Sequence, residues 1–205
     1  MTNRQNGFLK SIMMFSVTWG LAISAQAQND IRLGQPIYGG TGCPQGTASA
    51  AVTPDGKQIS ILFDQFVAEA GANGKRIDRK SCDLAVPLHV PQGYSVSIFT
   101  IDYRGFTSLP AGSYAKLNAE YFIAGQHGPL TQKNFTGPQS QNYIYTNNEY
   151  ILGNVWSACG TDVNLRVNAA MFVQTNSHLD DAMATVDSED LHTGIIFHVQ
   201  WRTCI

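Results

Sequence analysis

The tightest group of side chains able to do chemistry is Asp102-Tyr103-Arg104-Gly105-Phe106. The first reading of this corner is structural: Asp102 and Arg104 satisfy backbone groups or each other, and Tyr103 and Phe106 cap the end of the fold. The functional reading is a recognition surface. Asp102, Tyr103, Arg104 and Phe106, with Tyr94 at the start of the same run, would stack on a sugar ring or partner side chain and hydrogen-bond to it. Catalysis is the sharper alternative, because glycoside hydrolysis takes two carboxyl groups about 5–10 Å apart. Asp64, Glu69, Asp83 and Glu120 are the further acids that fall on or near strand-like sequence and can pair with Asp102.

Other chemistries lack their signatures. There is no G-x-S-x-G elbow and no H-E-x-x-H, which removes those hydrolase and metalloprotease classes. Of His89, His127, His178, His192 and His198, only the last two share a strand face. At roughly 20 Å apart they are too distant to share an ion. His89, beside Pro91-Gln92-Gly93, reads as a turn histidine. The glycine cluster from Gly39 to Gly46 is followed by neither Lys-Ser/Thr nor a helical pattern, so it reads as a tight loop and not a phosphate cradle. Asp180-Asp181 and Asp187-Ser188-Glu189-Asp190 do not follow the oxygen-ligand spacing of a calcium loop. A solvated acidic loop is expected there, with calcium binding as the alternative. No metal and no cofactor are expected.

The elements that would position these residues begin after a targeting segment. Arg4 and Lys10 precede an apolar run over residues 11–24, and Ala25-Gln26-Ala27 is a small-residue cleavage site. This predicts a signal peptide at 1–27 and one domain at 28–205. The signal run is shorter than the ~20 residues of a membrane span, and no later segment approaches one. Two of the 13 Lys and Arg leave with the signal, so 11 face 15 Asp and Glu and the net charge is −4. That balance argues against a nucleic-acid partner, which would want a basic stripe.

Cys43, Cys82, Cys159 and Cys204 all follow the cleavage site. Four cysteines in an exported chain read as two disulfides, with three connectivities open. Cys43–Cys82 with Cys159–Cys204 is favoured because it staples each half near its own ends. Zinc is disfavoured: there is no C-x-x-C and no nearby Cys-His pairing.

Alternating apolar runs recur along the chain. Residues 47–53 and 57–64 flank Pro54-Asp55-Gly56, a hairpin signal. Residues 84–90 alternate but contain Pro87, which predicts an edge strand or a bulge. In 94–102 the alternation places Ser95, Ser97, Phe99 and Ile101 on one face and Tyr94, Val96, Ile98 and Thr100 on the other. Residues 114–125 read as a long strand, with helix as runner-up. Residues 76–80, 126–141 and 175–189 read as polar loops, 143–156 as short strands at best, and 163–174 and 191–202 as strands. Turn chemistry at each junction and almost no helical period predict an all-β fold, an antiparallel two-sheet β-sandwich stapled by two disulfides.

Eight motifs in order then carry a family resemblance. Among them are Gly40-Thr41-Gly42-Cys43-Pro44, Arg79-Lys80-Ser81-Cys82, Asp102-Tyr103-Arg104-Gly105, Trp156-Ser157-Ala158-Cys159 and Trp201-Arg202-Thr203-Cys204. Together they resemble the DUF4360 domain family of secreted proteins over residues 41–204. The resemblance implies a small secreted domain with four cysteines, and supplies no catalytic residues. The expected function is non-catalytic binding of a glycan or a protein outside the cell, in the periplasm or at the cell surface. A paired-carboxylate carbohydrate enzyme and a structural envelope or matrix protein are the alternatives. Asn134-Phe135-Thr136 is a glycosylation sequon that matters only in a eukaryotic source.

Overall fold

The structure, a computed structural model, describes residues 32–71, 74–128, 130–147, 155–187 and 194–204. The predicted signal segment lies outside them. Among the described residues every regular element is a strand, and the strands form two antiparallel sheets that do not close into a barrel. The first sheet runs β1 (Arg32–Leu33), β6 (Ile77–His89), β12 (Val163–Gln174), β8 (Tyr114–Ile123), β10 (Thr131–Thr136). Two short strands attach to it, β2 (Ile37–Gly39) on β6 and β9 (Gln126–His127) on β8. The second sheet runs β3 (Ala48–Val52), β4 (Gln58–Phe63), β14 (Ile195–Thr203), β7 (Tyr94–Leu109), β13 (Ala182–Thr185), β5 (Val67–Ala70), with β11 (Gln139–Asn147) along the other edge of β7.

The inner faces hold the core. Ile59, Ile61, Phe63, Ile101 and Phe197 from the second sheet meet Leu88, Leu117, Ile123, Leu165 and Met171 from the first, all buried. Tyr121 and Phe197 touch across the gap with ring centroids 6.5 Å apart. Strict alternation on β4, β8 and β12 places these residues, since successive side chains point to opposite faces.

The predicted hairpin forms as β3 and β4. Thr53 Oγ1 donates to Asp55 Oδ1 at 2.6 Å, and Gly56 takes φ 65°. Both disulfides form as favoured, Cys43–Cys82 with Cα atoms 5.4 Å apart and Cys159–Cys204 at 5.9 Å. Pro87 is not on an outermost strand, but the edge argument survives locally. Its carbonyl accepts from Gly34 N at 2.8 Å, just past the end of β1 and before β2 begins. A residue's nitrogen and carbonyl point to the same side of a strand, so the missing donor of Pro87 faces the break between those two short strands.

Several expectations fail, each for a physical reason. Residues expected as loops form strands: 77–80 extend β6, 126–141 contain β9, β10 and the start of β11, and 182–185 form β13. β11 is nine residues long where short strands at best were expected. β10 and β11 flank their sheets and show solvent one side, so their outward positions are mostly Gln, Asn, Ser and Thr, with Ile144 the apolar exception, and carry little apolar signal.

The second failure is the phase of β7. His198 pairs with Thr100 and Val199 with Ile98, so Phe99 is an extra residue. A bulge of this kind sends every later side chain to the opposite face. Val96 and Ile98 are buried before it, and Ile101 and Tyr103 after it. Ser95 and Ser97 are buried as well. The segment around Ser157 runs beside this part of β7, Ser157 N donating to Val96 O and Val96 N to Ser157 Oγ.

Candidate recognition face on strand β7

The bulge decides which residues of the Asp102–Phe106 corner face outward. Without it Asp102 would point into the core. With it Asp102, Arg104 and Phe106 form an outward row at every second position of β7. Tyr103 points the other way and is 1% exposed. Its ring stacks on Tyr145 at 6.3 Å, and its hydroxyl donates to Thr131 Oγ1 on β10, with Asn147 Nδ2 donating to the same oxygen at 2.8 Å. Tyr103 therefore ties the two sheets together inside the core and cannot stack on a ligand. Burial pushes its phenol up to about 12.

Tyr94 also leaves the site. It lies at the other end of β7, edge-on to Trp201 with centroids 6.2 Å apart. Eight residues of strand, roughly 26 Å at 3.3 Å each, separate it from Asp102.

The outward row gains partners that no local pattern announces. Asp102 pairs in register with Thr146 on β11 and Ile196 on β14. Thr146 Oγ1 donates to Asp102 Oδ1 at 2.6 Å, His198 Nε2 lies 2.9 Å from Asp102 Oδ2, and Arg104 Nη2 lies 3.9 Å from that same oxygen. Burial alone would raise the Asp102 carboxyl. The hydrogen bonds from Thr146 and His198, with the charge of Arg104, outweigh it and hold the group below its ordinary value. Both oxygens are thus engaged and the acid is kept ionised, which is the wrong state for a proton donor. Thr146 donates to the carboxylate and not to the imidazole, so its hydroxyl is not set up as a nucleophile.

Of the other candidate acids, Asp64 lines the cavity beside Phe106, while Asp83, Glu120 and Glu69 lie elsewhere. Asp83 and Glu120 lie on the first sheet, flanking Asn168 in register on its outer face. Glu69, on β5, pairs with Met183.

Arg104 is half-buried, and its Nε has no hydrogen-bond partner among the described residues. Next along the row, Phe106 lines a cavity of about 400 Å³ with Asp64, Val67, Asn142 and Met183. Exposed Ile144 stands opposite Arg104, and exposed Phe99 lies 5.9 Å from the His198 ring. The face offers cation, carboxylate, amide and aromatic groups side by side.

The acidic segment is described over residues 175–187. Asp180 closes a turn against Asn176, whose Nδ2 donates to its carboxylate at 2.8 Å. Residues 188–190 lie outside the described residues, as does His192. Among the described residues no group of three or more His, Cys, Asp or Glu could hold an ion.

A family profile described as "Domain of unknown function (DUF4360)" matches residues 29–204. The chain belongs to the DUF4360 family. An "Uncharacterized secreted protein" of Arthroderma benhamiae is 33% identical to this DUF4360 chain over 169 residues, spanning 82% of this chain and 69% of that protein. Among solved structures, the GH31 alpha-xylosidase Xac1773 of Xanthomonas citri aligns with 85% of this chain and 19% of its own, at 10% identity and a TM-score of 0.21. A likeness that weak carries no argument about the fold or activity of the DUF4360 chain.

Proposed function

We propose that this protein is exported and acts without catalysis, holding a glycan on the outer face of β7. Export is supported by the leader-like N-terminus, by two disulfides, which persist in oxidising compartments, and by the secreted description of its relative. The observation that carries the binding reading is Arg104. Its side chain is partly exposed and stands one position along the row from the Phe106 cavity. A sugar hydroxyl on the exposed part of the Arg104 side chain, with the ring's apolar face against Phe106, would use both.

The non-catalytic part of the reading rests on Asp102, whose oxygens are taken by Thr146 and His198. Its test is a glycan array paired with a pull-down from culture supernatant, run on wild type, Arg104→Ala and Phe106→Ala. Glycan capture that falls at least tenfold in both variants supports the reading. Capture of a protein only, or glycan capture indifferent to both changes, overturns it. Hydrolysis of an arrayed glycan that is lost in Asp102→Asn would instead favour a carboxylate enzyme.

A further inference from the structure

A second cavity, of about 660 Å³, opens on the opposite side of the molecule, over the outer face of the first sheet. Its floor is one rung of that sheet: Arg166 on β12 pairs with Phe122 on β8, and Phe122 pairs with His127 on β9. The Phe122 and His127 rings lie 4.4 Å apart and make an aromatic wall. Asn164 and Asp162 bring amide and carboxylate groups to the rim. The volume is that of a pocket for a small organic ligand.

Small residues keep the cavity open. Ala124 and Gly125, both on its wall, form the two-residue turn between β8 and β9 with φ of 51° and 77°. Such turns strongly prefer Asn or Gly at the first position. Alanine accepts an unfavourable backbone there and leaves the wall short and apolar. Backbone strain of this kind clusters at binding sites.

The charges argue for a neutral ligand. Two acids on this face already hold a histidine: Asp162 Oδ1 lies 2.8 Å from His89 Nδ1, and Glu120 Oε1 lies 3.1 Å from His127 Nδ1. An anionic ligand would meet both carboxylates, and a cationic one would meet Arg166. Neutral hydroxyls can accept from Arg166 and Asn164 and donate to Asp162, while a C–H face rests on Phe122. Asp162, Val163 and Asn164 also line a cavity of about 210 Å³ that continues over Pro87 and His89 on β6. The two cavities meet over Asn164 and span β6, β12, β8 and β9, about 14 Å at the usual strand spacing.

We propose that this groove is a second saccharide site, taking a neutral linear oligosaccharide that lies across the strands of the first sheet. It is independent of the β7 face. With both occupied, one molecule would join two glycan chains from opposite sides.

Isothermal titration with cello-, laminari-, xylo- and chito-hexaose tests it, on wild type, Arg166→Ala, Asn164→Ala and Phe106→Ala. Both groove variants change exposed side chains, so folding is expected to survive and is checked by circular dichroism. At least one hexaose should bind wild type and weaken at least tenfold in Arg166→Ala and Asn164→Ala, leaving a component that Phe106→Ala does not touch. Loss only in Phe106→Ala would overturn the groove and leave the β7 reading standing. No binding to any of the four, or tighter binding to polygalacturonate than to every neutral hexaose, would overturn the groove as well.

Discussion

Gly105 lies directly across from Tyr143, and the missing side chain of the first makes room for the ring of the second. A Cβ at position 105 would come within 2.1 Å of Thr185 O and 2.6 Å of Tyr143 Oη. The same hydroxyl donates to Thr185 O at 2.7 Å, so β7, β11 and the end of β13 meet at one point.

Gly105→Ala must therefore displace backbone as well as a side chain. We expect a loss of about 1–3 kcal/mol or more, the range for overpacking. Tyr143→Phe keeps the ring and removes only the bond to Thr185, for about 1 kcal/mol. Urea unfolding of both variants checks the order, and a milder Gly105→Ala than Tyr143→Phe would contradict it.

Alkaline pH should unfold the protein through its inner tyrosines. Burial pushes Tyr103 up to about 12 from an ordinary value of 10.0, and Tyr143 further in the same direction. The unfolded chain releases these protons first. Their contribution is complete below pH 10 and declines as pH rises through the folded values. Ultraviolet titration should show two phenols ionising only with unfolding; early ionisation of all eight tyrosines would refute this.

Asp102 predicts the opposite limb. Its folded value is depressed, as is that of Asp78, where burial raises the acid but Lys75 and the Glu69 amide overcome it. Stability from such groups is present above the unfolded value near 3.9 and is lost as pH falls through the folded value. Asp102→Asn should cost about 1–3 kcal/mol at neutral pH and flatten the acid limb. An unchanged slope of stability against pH below 4 would show that the His198 and Thr146 bonds carry no net energy.

Each disulfide closes a long loop, with sequence separations of 39 and 45. The chain-entropy account gives about 4 kcal/mol apiece. Paired Cys→Ser changes at either bridge should lower the melting temperature markedly. Little loss at Cys43–Cys82 would mean that the Gly42 N to Ser81 O bond and its surroundings already hold that loop.

What the sequence revealed follows from how each strand is solvated. β4 and β8 are buried on one face, and β12 and β14 along much of their length, so their alternation reads plainly. β10 and β11 lie at flanks and write a polar pattern that looks like loop. The candidate site was half legible. Asp102, Arg104 and Phe106 share a face because they are spaced by two. The removal of Tyr103 and the arrival of His198 and Thr146 were not legible. They depend on the bulge at Phe99 and on strands 44 and 96 residues away in sequence, a register that local pattern does not carry.

The sheet orders have a consequence in time. β12 sits between β6 and β8, and β14 between β4 and β7, yet these are among the last strands to leave the ribosome. Until they emerge, four earlier strands have no partner along one full edge. The nascent chain is therefore expected to leave both sheets incomplete through most of its synthesis. A chain stopped before Ile195 should leave the second sheet incomplete, showing no cooperative unfolding transition.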